Sequence, residues 1–349
     1  MADDLKISHP GCPQPPRPPW PPWPAPCRCP RIDRTFDPAL LDVIAVYDNP
    51  LHWVSRYTNF LQFEDSMIEA GVRLTTVETA YGQMPFDLAD RAGVRRVRLR
   101  ANSICWRKEN LARIGVAAVP DAQYLAVVDG DMLFHDPFWV EQVLRGLQIH
   151  RIVQISSDIM WLGPKNEFVG SGKSFMHWYL KSRRAHTENQ YWHKAGPVEM
   201  LDWGYPGGAW AYRREALEAM GELLDVCLLG AADYHMAMAL FDLSDLLLID
   251  NDYTPQYRAE LSTWKERARA AIGEDIGLVP GIVYHLWHGP LHARRYSTRE
   301  QILIRNHYDP NTDIVRRRDG LIELAGNKPK LRDDILAYFT DRNEDTIDL

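Results

Sequence analysis

The stretch Tyr124–Phe134, YLAVVDGDMLF, decides the fold. Leu125–Val128 is a short apolar run that stops abruptly at Asp129-Gly130-Asp131. A run of that length with β-branched residues predicts a buried strand of a parallel sheet. In open α/β sheets, ligand chemistry sits beyond the carboxyl ends of the strands. Two carboxylates placed there suit a hard divalent cation, Mg2+ or Mn2+, shared with a diphosphate, and the glycine between them lets the backbone turn. The plainer alternative is that Asp129 and Asp131 cap the following helix, FWVEQVLRGL, a job that Asp136 and Pro137 are also placed to do.

Composition sets the frame for this strand. The chain has 349 residues, 46% hydrophobic and 25% charged, enough for one large or two modest cores. A net charge of -7 argues against a whole-protein nucleic-acid field, though not against a local basic groove. No apolar run approaches the ~18 residues that span a bilayer. The start, MADDLKISHPGC, is acidic and lacks the apolar core of a secretory signal. The five cysteines show no repeated spacing. Cys105 and Cys227 lie in apolar context and read as buried thiols. Cys12, Cys27 and Cys29 share the N-terminal tail, where a zinc site is the less favoured reading. A reducing, cytoplasmic setting is expected.

Upstream of the Asp-Gly-Asp strand, residues 10–30 hold eleven of the 24 prolines, with Trp20 and Trp23 among them. Such a segment is polyproline-like or irregular, so residues 1–38 are set apart from a folded domain over 39–349. LLDVIAVYDN (Leu40–Asn49) predicts a first strand and Trp53–Ala70 a helix. Val72–Ala80 and Val94–Arg100 predict two further strands, and Trp106–Ile114 a second helix. Strands alternating with helices imply βαβ units and a parallel sheet.

Downstream, Pro137–Leu147 predicts a helix and Arg151–Gly163 a strand. GSGKS (Gly170–Ser174) lacks the first glycine of a phosphate-binding loop, because Glu167 stands there, and reads as a flexible loop. Trp203–Leu217 brings Trp203, Tyr205 and Trp210 beside Gly207 and Gly208. Aromatic faces suit sugar rings, and glycines allow close backbone approach, although any one of these aromatics is as well explained as core. Asp233 opens an otherwise apolar helix, as a cap or as a functional acid. IVYHLWHG (Ile282–Gly289) predicts a strand ending in His285 and His288, followed by a basic turn with His292, Arg294 and Arg295. Two histidines late in a chain with an acidic metal motif are candidate ligands. From Thr298 the chain reads as a charged, helical extension.

The order of these pieces is informative. Tyr47-Asp48-Asn49, WRKENLARIGV (Trp106–Val116), YLAVVDGDMLF, the Gly-Gly strand with its acid-bearing helix, and the His-Gly strand resemble the GT-A class of nucleotide-sugar-dependent glycosyltransferases. The likeness is greatest to the inverting branch that includes the animal β-galactosyltransferases and the family-2 group, and it covers about Leu40–Tyr296. It implies a Rossmann-like, mostly parallel sheet flanked by helices. It also implies that Asp131 and Asp129 hold Mn2+ or Mg2+ on the sugar-nucleotide diphosphate, with His288, then His285, as the late ligand. Tyr47, Asp48, Asn49, Arg107, Lys108, Asp129 and Gly130 would line the nucleotide sugar. Trp203, Gly207, Gly208 and Trp210 would face the acceptor, and Asp233 would be the catalytic base. One departure stands out: the family turn has consecutive acids, whereas here it reads Gly230-Ala231-Ala232-Asp233.

The resemblance implies transfer to a hydroxyl acceptor with inversion, UDP being the favoured carrier because metal-dependent relatives commonly use it. A glycan, protein, small molecule or hydroxylated DNA base could be the acceptor. DNA would need a basic groove, for which Arg91, Arg95, Arg96, Arg98 and Arg100, or Arg294, Arg295 and Arg299, are candidates. A metal-dependent nucleotidyl- or phosphotransferase would need further convergent carboxylates. A non-catalytic carbohydrate-binding protein would keep the aromatics but not the full acid and histidine set.

Overall fold

β1 (Leu41–Asp48) is buried along almost its whole length, as a central strand covered on both faces must be. A computed structural model describes residues 36–184, 204–244, 252–296 and 298–348. The Pro-rich segment and Trp203 lie outside the described residues. After β1 come α1 (Val54–Ala70), β2 (Arg73–Tyr81), β3 (Val94–Ala101), α2 (Lys108–Ala117), β4 (Tyr124–Val128) and β5 (Met132–Phe134). The middle of the chain adds α3 (Trp139–Ile149), β6 (Ile152–Ile155), β7 (Asp158–Leu162), β8 (Phe168–Lys173), α4 (Phe175–Arg184) and β9 (Ala209–Arg213). Then follow α5 (Arg214–Ala219), α6 (Ala232–Leu240), α7 (Pro255–Ile272), β10 (Ile276–Val279) and β11 (Ile282–His285). The last elements are α8 (Gln301–Arg305), β12 (Ile314–Arg316), β13 (Ile322–Leu324) and α9 (Pro329–Asp341).

Seven strands form the main sheet in the order β10-β6-β9-β4-β1-β2-β3. All neighbours run parallel except β9, which is antiparallel to both β4 and β6. Helices cover both faces. Leu41, Val43 and Ala45 pack with Phe60, Phe63 and Met67 of α1 and Val143, Leu144 and Leu147 of α3. Ile44 faces the other way, into a larger core with Ala112 of α2, Leu217 of α5, Met238 of α6 and Trp264 of α7. Each fully buried Phe or Leu contributes about 1.5–3 kcal/mol, so this two-sided burial accounts for the near-continuous apolar reading of β1. The result is an α/β fold with a mostly parallel sheet flanked by helices.

A second sheet, β5-β11-β7-β8, stands against the end of the first. The observed strands correct three expectations. Arg151–Gly163 is not one strand: β6 belongs to the main sheet and β7 to the second. Ser156, between them, has φ 103, and its N–H bonds Val279 O at 3.0 Å while Ser157 N–H bonds Gly281 O at 2.9 Å, so the chain turns from one sheet to the other. Gly170–Ser174 is not a flexible loop: Gly170–Lys173 belongs to β8, paired antiparallel with β7. Gly172 is required by packing, since a Cβ there would lie 2.5 Å from the Trp161 ring. The C-terminal part is not only helical, because β12 and β13 form an antiparallel hairpin before α9.

Candidate active site

The parallel strands β1 and β4 end side by side, and the site is built on that edge. Asp48 closes β1, and the Asp129-Gly130-Asp131 turn follows β4. The turn carries the chain from the main sheet into the second, because β5 begins at Met132. Asp129 N–H donates to Gly208 O at 2.8 Å, and Gly208 N–H donates to the Asp129 carboxylate at 3.2 Å. Gly208 has φ +89, a conformation that favours glycine, so the Gly-Gly segment is what clamps Asp129. Gly130 is needed for a different reason: a Cβ there would fall 2.3 Å from the Phe60 ring. Neither acid caps α3. Asp136 accepts the Phe138 N–H at 2.8 Å instead.

β11 pairs with β5 so that His285 stands opposite Met132, and Leu286 N–H donates to Asp131 O at 2.9 Å. His288 returns from the following turn, its ring stacked on that of His285 at 5.0 Å. The ligand atoms of Asp131, His285 and His288 lie within 4.8 Å of one another. His288 Nε2 is 2.9 Å from the Asp131 carboxylate, and its Nδ1 is 3.9 Å from Glu344. His285 Nδ1 lies 3.0 Å from Leu286 O, which can only accept. The ring proton therefore sits on Nδ1 and Nε2 keeps its lone pair. Burial pushes His285 down to about 3 despite the pull of Asp131, so the imidazole is neutral. Burial would raise the Asp131 carboxyl, but the imidazoles beside it, and Arg294 at longer range, hold it below the usual carboxylate range. The direction that stands is an ionised Asp131 beside a neutral His285.

Asp131 Oδ1 is buried with no hydrogen-bond partner among the described residues. An unmet carboxylate oxygen costs ~1–3 kcal/mol or more, and a cation removes that cost. One carboxylate and two neutral-capable imidazoles form a donor set that Mn2+ accepts readily. These residues fit a divalent ion.

Asp129 is not in this cluster. Its carboxylate takes Lys108 Nζ at 3.0 Å, and the same ammonium lies 3.7 Å from Glu109 and 4.0 Å from Asp233. Burial opposes the charge on Lys108, but these carboxylates outweigh it and raise the ammonium well above its ordinary value. Burial raises Asp129 and lifts Glu109 to about 7, in each case against the pull of Lys108. Asp233 opens α6, its Oδ1 accepting the Tyr234 N–H at 2.8 Å. A Cβ on Gly207 would sit 2.6 Å from Asp233 Oδ2, so that glycine makes room for the acid.

The remaining candidates divide. Tyr47, Asp48, Arg107 and Lys108 line the same cleft as Asp129, Gly130, Asp131, Asp233, His285 and His288. Asp48 Oδ1 accepts from Thr79 at 3.0 Å and Tyr81 at 2.5 Å. Asn49 is occupied in bonding both backbone groups of Trp53, at 2.9 and 3.1 Å, and shapes the turn into α1. Arg107 is buried against Cys105 and over the Tyr81 ring. Trp210 donates to Pro206 O at 2.7 Å and packs against the core, whereas Tyr205 lines the cleft. Cys105 and Cys227 are buried free thiols.

Several wall residues carried no signal in the sequence. Arg56 of α1 and Arg342 after α9 both bond Glu344, each at 2.7 Å. Phe339, Arg294, Tyr296 and Arg299 complete that side. Only Arg294 and Arg299 stood out earlier, as part of a basic turn. In the other basic run, Arg91 and Arg96 pair with Glu64, Arg98 pairs with Asp90 at 2.8 Å, and Arg95 and Arg100 bond backbone carbonyls.

No protein-family model matches this chain, and no curated protein matches it. Among solved structures it is similar to glucosyl-3-phosphoglycerate synthase from Mycobacterium tuberculosis in complex with Mn2+, UDP and phosphoglyceric acid. The two are 13% identical over 81% of this chain and 86% of that one, with a TM-score of 0.35. The complex of that enzyme with Mn2+, UDP-glucose and phosphoglyceric acid gives 12% identity, the same coverage and a TM-score of 0.35. A mycobacterial protein gives 14% identity over 81% of this chain and 83% of that one, with a TM-score of 0.32. Scores this low decide nothing about activity, which has to be read from the site. Among the described residues no helix is long and apolar enough to cross a membrane.

Proposed function

We propose that this chain is a metal-dependent glycosyltransferase of GT-A type, moving a sugar from a nucleotide sugar, with UDP as the favoured carrier, to a hydroxyl acceptor. The observation that carries the reading is the Asp131, His285 and His288 trio at the carboxyl edge of a parallel sheet, with Lys108 lining the same cleft. That edge is where α/β sheets bind nucleotides. A divalent cation held by the trio, Mn2+ or Mg2+, supplies Lewis-acid stabilisation of charge on a departing diphosphate. Lys108, kept cationic in the cleft, adds fixed positive charge at the same place. Asp48 and Tyr47 at the end of β1 suit the ribose and base. We place this machinery in residues 39–349, leaving the Pro-rich segment outside it.

For the chemistry at the acceptor we propose Asp233 as general base, with direct displacement and inversion. The cleft offers Asp233 as an acid outside the trio with one oxygen free of backbone bonds. One measurement favours a second role. Lys108 links Asp129 to Asp233 across 3.0 and 4.0 Å, which sets Asp233 near the diphosphate side, where it would instead bind the donor sugar. The anomeric configuration of the product distinguishes the two. A nucleotidyltransferase is less well supported, because Glu344, the further carboxylate near the trio, is already neutralised by Arg56 and Arg342.

The test is release of UDP from a panel of UDP-sugars with Mn2+. Free UDP is expected, abolished by EDTA or by Asp131→Ala. Release of sugar 1-phosphate in place of UDP, or full turnover in EDTA, refutes the assignment.

A further inference from the structure

The cleft also holds buried arginines outside the candidate metal cluster. Arg294 follows the His288 turn and ends a short 3-10 segment, Leu291–Arg294. It is only 5% exposed and lines the cleft. Its Nη1 bonds Tyr296 Oη at 3.2 Å, and its Nε has no hydrogen-bond partner among the described residues. No described carboxylate lies within ion-pair reach of it. The guanidiniums around it are scarcely better balanced. Arg299 bonds Gly230 O at 2.5 Å, its Nε is also unbonded, and the nearest carboxylate, Glu300, stands 3.8 Å away. Arg342 has to share Glu344 with Arg56.

Burying a guanidinium without a counter-charge is costly, so a site that keeps one implies an anion that arrives. The donor is a poor source for that anion, since the ion held by Asp131, His285 and His288 would carry the charge of its diphosphate. The planar fork of Arg is suited to two-point binding of phosphate or carboxylate oxygens. Tyr296 adds a hydroxyl at the same spot.

We infer that Arg294, with Arg299 and Tyr296, forms a second anion subsite in the cleft, and that the acceptor carries a phosphate or carboxylate group which docks there. This deepens the transferase reading and rests on it for the word acceptor. The subsite itself stands on the arginine geometry alone. It makes Arg294 a specificity-determining residue outside the Asp131, His285 and His288 cluster.

The test uses the full chain and inorganic phosphate as probe, followed by calorimetry. UDP binding with Mn2+ is measured first and separately. Phosphate is then titrated into the UDP-saturated protein and into the free protein. Phosphate should bind in both cases without displacing UDP. Arg294→Gln should weaken phosphate ~10-fold or more, the range for hydrogen bonds to charged groups, and leave UDP affinity within ~2-fold. Arg294→Lys should recover part of the loss, since it restores the charge without the fork. Competition between phosphate and UDP, or a parallel loss of both in Arg294→Gln, overturns the inference and assigns Arg294 to the donor diphosphate. Absence of phosphate binding, or binding unchanged by the substitution, overturns it as well. The wild-type competition arm needs no variant, so a poorly folded Arg294→Gln leaves the test intact. A chain that ignores UDP yet binds phosphate through Arg294 refutes the transferase reading and keeps the subsite.

Discussion

Asp129 and Asp131 are two residues apart and have different surroundings, and that difference organises the site. Asp131 faces two imidazoles and leaves one buried oxygen unmet. Asp129 is tied to Lys108 and to the Gly208 N–H. Removing Asp131 therefore removes the only carboxylate of the trio, whereas removing Asp129 leaves Lys108 to Glu109 and Asp233. In the mechanism we propose, Asp233 is the base. Asp233→Asn keeps the shape and the oxygen that accepts the Tyr234 N–H, and it removes the base. Turnover should fall by the ~10²–10⁴-fold that general-base catalysis contributes, with donor affinity kept. Product anomers read by NMR complete the test. Retained configuration together with loss of donor binding would move Asp233 to the sugar.

At the scale of elements, the C-terminal tail and α1 hold each other. α1 starts at Val54 with no side-chain cap of its own from Trp53. The Asp345 carboxylate supplies it, accepting the Val54 N–H at 2.9 Å and the Ser55 N–H at 2.7 Å. Trp287 ties in from the other side, donating to Thr346 O at 2.8 Å while its own carbonyl accepts from Asn59 at 2.7 Å. Asp345→Ala should cost ~1 kcal/mol, as the loss of an N-cap carboxylate does. In a chain of this size that is a fall of ~2 °C in Tm by circular dichroism. An unchanged Tm would mean the helix start is satisfied by water and the tail is only laid against it.

At the scale of the whole molecule, buried titratable groups set the pH range over which the fold holds. His235 of α6 is buried among Tyr253 and Tyr257, and burial together with Arg299 pushes it down to about 4. Its folded value is below its unfolded one. Its contribution is thus fully present above the unfolded value, roughly 6.5, and is lost as pH falls through about 4. The loss is at most ~3 kcal/mol. Glu109, lifted to about 7, has the opposite sign: its contribution is present at low pH and declines as pH rises from ~4.3 toward 7. The two oppose each other between those values, so only a difference isolates one of them. Urea midpoints at pH 7.5 and 5.0 should fall further in the wild type than in His235→Gln. Equal falls would show that His235 takes up its proton in the folded state.

What the sequence determined by itself was local. An apolar run ending in Asp-Gly-Asp, helical spacing after β1, and a strand ending in histidines are each carried by adjacent residues, so their periodicity and turn chemistry are visible in one line of letters. The mostly parallel α/β sheet was legible on that basis, as were Asp131, His285 and His288 as candidates. Only the tertiary structure decided what joins distant residues. The change of sheet at Ser156 depends on Val279 and Gly281. Arg96 of β3 finds its ion-pair partner in Glu64 of α1. Glu344 reaches the site from the far end of the chain to meet Arg56. Charge pairing and cross-strand register are set by position in space, and two residues 288 apart in sequence leave no local pattern that announces they will meet.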